Sequence, residues 1–138
     1  MEQDIKSKID EACRTAEEFT KLYYKAIDKQ RYMISKLYLD TGILIWNGNG
    51  IVAKDQIQKF WMDLPASDHS TTTLDAQPVT GAAVGNQPTF LIKVSGQVKF
   101  QDKPSKPFNQ NFLITAVGDK WKIVSDCFRV QEALDSTT

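Results

Sequence analysis

The chain has 138 residues, with 17 Lys and Arg against 17 Asp and Glu and 41% hydrophobic residues, the mix of one globular domain, which excludes a multidomain machine. At this length roughly two thirds of the unfolded chain's surface is buried on folding, so neither a metal nor a disulfide is required to hold it. A formal net charge of zero argues against gripping a polyanion by bulk electrostatics, so no direct nucleic acid binding is expected.

From Ile5 the apolar positions Ile5, Ile9, Ala12, Cys13, Ala16, Phe19, Tyr23, Ala26 and Ile27 step by threes and fours, which predicts a long helix with one buried stripe. Glu11, Arg14, Glu17, Glu18, Lys21 and Lys25 fill its solvent face. A second, short helix is expected over 32–39, with Met33, Leu37 and Tyr38 inward and Asp40-Thr41-Gly42 as its end. Ile43-Leu44-Ile45-Trp46 is β-branched and aromatic enough for a strand. Asn47-Gly48-Asn49-Gly50 suits a turn with positive φ, returning the chain through Ile51-Val52. Ile57, Phe60, Trp61 and Leu64 then recur at helical spacing until Pro65 closes a third helix. Four strands are expected after it, over 71–79, 89–100, 107–117 and 121–130. Their connections carry Gly81, Gly85 and Pro88, then Asp102-Lys103-Pro104, then a two-residue Gly118-Asp119 turn. Helices first and an antiparallel meander afterwards predict an α+β domain with the helices on one sheet face.

Because successive strand residues point to opposite faces, Ile92, Val94, Val98 and Phe100, then Phe108, Phe112 and Ile114, then Val124, Phe128 and Val130 are assigned to the core. The other face carries Leu91, Lys93, Ser95, Gln97 and Lys99, followed by Asn109, Asn111, Leu113 and Thr115, then Ile123, Ser125, Cys127 and Arg129. No helix is left to cover it. Its mosaic of apolar, amide, hydroxyl and basic side chains suits a specific protein interface, although an ordinary half-wet antiparallel sheet permits the same mixture. Lys93, Lys99 and Arg129 share it with no carboxylate among these strand positions, so acidic residues are expected on the surface it meets.

Little else points to chemistry. His69, the one histidine, falls in what reads as an exposed, inert loop after Pro65. Cys13 and Cys127 lie far apart and read as reduced thiols of an intracellular protein. No carboxylate cluster has metal-ligand spacing, a Ser-His-Asp or Cys-His system would need that same histidine, and no phosphate-cradling glycine loop is present. No metal and no cofactor are expected. The first eight residues alternate charges where a signal peptide carries an apolar run, and no stretch of about 18 apolar residues could span a membrane. The one enzymatic candidate is Asp126, turned inward by parity beside Val124 and Phe128. Burial would raise its pKa, and Tyr23, Tyr38 or Gln110 are available as hydrogen-bonding neighbours of a general acid or base. Trp46, Phe60 and Trp61 read as core aromatics.

Phe19, Tyr23-Tyr24, Asp28, Arg31, Leu37-Tyr38, Asp40, Trp46 and Gly48, with Gly96-Gln97, Phe108, Gln110, Phe112 and Phe128-Arg129, stand in an order and spacing that resembles the nuclear transport factor 2 family. The words Asp10-Glu11-Ala12-Cys13-Arg14, Trp46-Asn47-Gly48-Asn49, Phe108-Asn109-Gln110-Asn111-Phe112 and Ser125-Asp126-Cys127-Phe128-Arg129 are similar to its messenger RNA export branch, the small partners of a large, Tap-like export receptor. The resemblance implies a cone in which a strongly bent antiparallel sheet wraps the N-terminal helices. It also implies that the outer sheet face, with Arg129 toward a partner carboxylate, packs on the same face of the receptor's own domain of this fold. The function implied is that of a non-enzymatic adaptor of the nucleus and nuclear pore, shuttling to the cytoplasm and supporting the receptor's binding of Phe-Gly nucleoporins. The family's import branch, which carries Ran, has an acidic residue after the tryptophan, where this chain has Trp46-Asn47. The same cone also houses ketosteroid-isomerase-like enzymes, which keeps Asp126 in view.

Overall fold

The computed structural model describes residues 2–79 and 88–131, with side chains from residue 5 onward. In chain order the elements are α1 (Glu2–Lys29), a 3₁₀ turn (Arg31–Leu37), β1 (Tyr38–Trp46), β2 (Asn49–Val52), α2 (Lys54–Asp63), β3 (Ser67–Pro78), β4 (Thr89–Phe100), β5 (Lys106–Val117) and β6 (Lys120–Val130). The strands form one six-stranded sheet in the order β2-β1-β6-β5-β4-β3. Neighbours are antiparallel except β1 and β6, which run parallel, so the sheet is mixed. Both helices pack on one face of it: Phe19 of α1 meets Phe112 of β5, and Trp61 of α2 meets Phe128 of β6. The α+β fold expected from the sequence, and implied by the resemblance, is the fold observed, corrected at one pair: the expected sheet is antiparallel throughout, whereas β1 joins it parallel to β6.

The stripe of α1 packs only from Ala12 onward. Ile5 is 60% exposed, Ile9 40%, and Cys13 is exposed as well, so the first turns have the helical period without a covering surface among the described residues. The expected helix over 32–39 is a 3₁₀ turn that stops at Leu37, and its buried residue is Ile34. Tyr38 already belongs to β1 and pairs with Ile123 of β6, so Asp40, Thr41 and Gly42 lie within a strand instead of ending a helix. A tertiary ladder has overridden residues whose local preference is a turn. Gly42 accommodates the irregular step in that ladder: a Cβ there would stand 3.0 Å from the Leu39 carbonyl oxygen and 3.2 Å from that of Ile123.

Only the first Asn-Gly pair makes the β1–β2 turn, with positive φ at Asn47 and Gly48, while Asn49-Gly50 is already β2. β3 starts at Ser67, earlier than the expected 71, because it pairs with β4 all the way to Phe100. Gly81 and Gly85 lie outside the described residues. The Gly118-Asp119 turn joins Val117 to Lys120 as expected.

The assigned core residues Ile92, Val94, Val98, Phe108, Phe112, Ile114 and Phe128 are buried, with Phe100 and Val130 packed at the margin. One strand breaks the parity. Leu113 faces Ser125 but Ile114 faces Ile123, which leaves Val124 as an extra residue in β6. The bulge turns Ile123 into the core at 0% exposure and leaves Val124 half-buried. Ile123 is therefore not an outer-face residue, and Val124 is not the core residue it was expected to be.

A second irregularity lies between Thr71 and Thr73 of β3, opposite Gly96. A Cβ on Gly96 would stand 2.0 Å from the Ser70 carbonyl oxygen and 2.9 Å from Thr71 Cα. Backbone blocks that space, so Gly96→Ala is expected to destabilise the fold by about 3 kcal/mol, read as a lower urea midpoint. A midpoint equal to the parent's would show that β3 is free to move away.

Candidate functional site

The outer face of the sheet is continuous across all six strands. One row reads Ile45, Cys127, Asn111, Lys93, Asp75, and the next reads Val52, Ile43, Ser125, Leu113, Leu91, Gln77. A third runs Arg129, Asn109, Ser95, Thr73, and Gln97 and Lys99 continue β4 beyond it, facing Ser70 and Asp68. Of the thirteen residues expected at this face, Arg129, Cys127, Ser125, Asn109, Asn111, Leu113, Leu91, Lys93, Ser95, Gln97 and Lys99 are thus brought onto one surface, and Thr115 continues β5 on the same side. Ile123 is the exception.

Two features of this face are not legible in the sequence. The first is an apolar margin: Ile43 and Ile45 are each 38% exposed and Val52 is 61% exposed, and the parallel β1–β6 ladder sets the two isoleucines beside Ser125 and Cys127. Ile43-Leu44-Ile45-Trp46 is apolar throughout, so no alternation shows which pair faces out. The second is the charge pattern. Asp75 pairs in register with Lys93 and Asp68 with Lys99, so β3 supplies carboxylates beside both lysines. The face is therefore not uniformly basic. Arg129 differs: its register neighbour on β5 is Asn109, and its guanidinium lies against the turn at Gly48. It makes no ion pair among the described residues. Asn47 holds that turn to β6, donating its backbone N–H to the Phe128 carbonyl at 2.9 Å and accepting the Val130 N–H on its side-chain oxygen at 2.8 Å.

Asp126 lies on the opposite face of β6 at 0% exposure. Its Oδ2 accepts the hydroxyls of Tyr23 at 2.8 Å and Tyr38 at 2.5 Å, and its Oδ1 accepts Gln110 Nε2 at 2.7 Å. Gln110 Oε1 in turn accepts the Tyr24 hydroxyl at 2.5 Å. All three expected neighbours are therefore bonded to the carboxylate. Burial raises the Asp126 pKa to about 6 even though these three donors pull the other way. Burial and the Asp126 charge push Tyr23 and Tyr38 well above the ordinary tyrosine value, which keeps both as donors.

His69 is neither in a loop nor exposed. In β3 its side chain is 1% exposed and its Nδ1 lies 2.7 Å from Asp28 Oδ1 at the end of α1. Its backbone N–H donates to Asp28 Oδ2 at 2.8 Å, and the Ser67 hydroxyl donates to Oδ1 at 2.8 Å. The ring packs against Tyr24, Phe108 and Phe128. Burial alone would raise the Asp28 pKa, but the His69 and Ser67 contacts outweigh it and hold the carboxyl below its ordinary value. A depressed folded-state pKa stabilises above the unfolded value, and that contribution is lost as pH falls through the folded one. Asp28→Asn is accordingly expected to flatten the acid side of the stability profile below about pH 4, measured by urea midpoint against pH. An acid limb identical to the parent's would contradict this.

Arg31 ties the same corner together, donating to the carbonyls of Ile27, Trp61, Leu64 and Pro65 and to the Ser67 hydroxyl. Trp46 stacks on Phe128 with ring centroids 4.6 Å apart and meets Phe60, Trp61 and Phe100 edge-on, a core cluster as expected. Among the described residues no group of three or more His, Cys, Asp or Glu could hold a metal, and no helix is long and apolar enough to cross a membrane.

Comparison with known proteins agrees with this architecture. The profile of the Nuclear transport factor 2 (NTF2) domain matches residues 15–130. NTF2-related export protein 2 of Homo sapiens is 46% identical over 133 residues, covering 94% of this chain and 94% of its own. NTF2-related export protein of Caenorhabditis elegans is 32% identical over 128 residues, 92% of this chain and 93% of its own. Nuclear transport factor 2 from Cryptosporidium parvum superposes with a TM-score of 0.75 at 20% identity, over 90% of this chain and 95% of that one. A chain of the Mtr2-Mex67 M domain complex of Candida albicans superposes with a TM-score of 0.74 at 17% identity, over 91% and 99%. These two structures speak for the fold, and the profile with the two export-protein relatives speaks for descent. The chain belongs to the nuclear transport factor 2 (NTF2) domain family.

Proposed function

We propose that this protein is a non-enzymatic adaptor of nuclear messenger RNA export. It pairs through its outer sheet face with the NTF2-like domain of a large, Tap-like export receptor and supports that receptor's binding of Phe-Gly nucleoporins. The pair works in the nucleus and at the nuclear pore and shuttles to the cytoplasm. The observation that carries this is the outer face, which no helix covers among the described residues, apolar at Ile43, Ile45 and Val52 and cationic at Arg129, in a chain 46% identical to a protein named for export. A chain of the same fold occurs in complex with the Mex67 M domain in Candida albicans. An interface of standard size takes about 800 Å² from each partner, which the outward positions of β6, β5 and β4 with the β1 margin can supply. With no net charge, the chain leaves contact with RNA to its partner.

The enzymatic alternative has one observation in its favour, the Asp126 pKa near 6. Against it, both carboxylate oxygens are occupied by Tyr23, Tyr38 and Gln110 in a fully buried setting, so a substrate would have to displace them. The Ran-carrier alternative meets an Asn where the import branch has an acid, and that Asn is spent on the Val130 backbone. Pull-down with the full chain from nuclear extract, with mass identification of the stoichiometric partner, tests the proposal. One copy of a large export receptor is the expected result. Recovery of Ran in its GDP form, or of this chain alone, would overturn it.

A further inference from the structure

At the far end of β6 from Arg129, α1, the 3₁₀ turn and the β5–β6 hairpin wall a groove of about 540 Å³ on three sides. Its apolar lining is Phe19, Leu22, Ala26, Met33, Leu37 and Trp121. Leu22 is 53% exposed there, an apolar side chain on the wall of a concave site. Trp121 is held nearly flat against Phe90, with ring centroids 4.7 Å apart and an interplanar angle of 24°, so this wall is preset.

The rim is asymmetric. Lys36, Lys120 and Lys122 stand on the side of the 3₁₀ turn and β6, against Glu18 on α1 and Asp119 in the hairpin. The Lys122 ammonium donates to the Lys36 carbonyl, which draws cations from two elements to one edge. None of these three lysines makes an ion pair with a carboxylate among the described residues. A concave, mostly apolar site of a few hundred Å³ with polar groups at one edge suits a small organic ligand, whereas protein partners take flatter and larger patches.

The geometry points to a binding site for a small amphiphilic anion, an aromatic or short aliphatic body seated on Phe19, Leu37 and Trp121 with its carboxylate or sulfonate toward the three lysines. It uses none of the residues proposed to meet the receptor, so it stands or falls independently of the adaptor reading. The full chain titrated with 8-anilino-1-naphthalenesulfonate is expected to saturate at one probe per chain. Decanoate should displace the probe, and decanol, the same chain length without the charge, should compete about fivefold more weakly or worse. Leu22→Glu places a charge on the apolar wall at an exposed position that a helix tolerates, and should weaken probe binding by about tenfold or more. Lys36→Glu combined with Lys120→Glu, both exposed, should weaken decanoate by about tenfold while decanol competes as before. Thermal midpoints of the variants should match the parent's, which separates lost binding from lost folding. Probe fluorescence that never saturates, equal competition by decanol, or parental affinity in either variant would overturn the site.

Discussion

Asp126→Ala is expected to cost roughly 3–5 kcal/mol of folding stability, while Asp126→Asn keeps most of it and removes a pH dependence. The alanine leaves the Tyr23 and Tyr38 hydroxyls and the Gln110 amide without their acceptor in a site at 0% exposure. The two hydroxyls, 3.4 Å apart, can compensate one another only in part. The asparagine can turn its carbonyl to the tyrosines, provided Gln110 flips to accept the new amide. A domain of this length has about 7–20 kcal/mol in total, so the alanine removes a large share of it.

The pH dependence has a definite sign. An acid whose folded pKa is raised binds its proton more tightly in the native state, so the stabilisation is complete below the unfolded value and is lost as pH rises through the folded one. For Asp126 that window runs from 3.8 to about 6, a difference worth on the order of 3 kcal/mol. Urea unfolding at pH 4, 5, 6 and 7 should show wild-type stability falling across this range and Asp126→Asn staying level across it. A wild-type profile flat from pH 4 to 7 would contradict the assignment. Asp28, whose carboxyl is held low by His69 and Ser67, acts in the opposite sense, on the acid side of that window.

Arg129→Glu is expected to abolish co-purification with the export receptor while the isolated chain stays folded. An exposed guanidinium with no ion pair among the described residues contributes little to the fold, within about 0.5 kcal/mol for a surface change. Across an interface it can pair bidentately with a partner carboxylate, and reversing its charge leaves that carboxylate desolvated and repelled. A loss of about 2–5 kcal/mol corresponds to roughly 30-fold to several thousandfold in Kd. Isothermal titration with the receptor's NTF2-like domain measures it, beside a thermal midpoint of the variant alone. Ile45→Glu, on the apolar margin in register with Cys127, should weaken binding as well if the interface reaches β1. Unchanged affinity in Arg129→Glu would remove the outer face from the proposal.

Several family words turn out to belong to the framework. Tyr23, Tyr24, Tyr38 and Gln110 close the network on Asp126, Asp28 and Arg31 tie α1 to β3 and α2, and Gly96 makes room for the β3 backbone. Phe128-Arg129 serves both purposes: the phenylalanine stacks on Trp46 in the core and the arginine next to it faces out. Residues of this kind identify a fold more readily than they locate a binding surface.

Local periodicity alone determined α1 from Ala12 onward, α2, the strands β4 and β5, and the inward turn of Asp126, because each repeats its pattern over many residues with clear punctuation. It also placed the outer-face residues correctly, Ile123 excepted. What only the tertiary structure decided is tied to distant pairing. The partner of Tyr38 is Ile123, and that contact extends β1 through residues that locally suggest a turn. A bulge at Val124 reverses the parity of Ile123, and no local feature announces one extra residue in a strand. The early start of β3 buries His69 against Asp28 and puts Asp68 beside Lys99, while the β3–β4 register puts Asp75 beside Lys93. An apolar run such as Ile43 to Trp46 has no preferred outer side until its neighbour is in place, and packing against β6 and α2 then leaves Ile43 and Ile45 outside with Arg129.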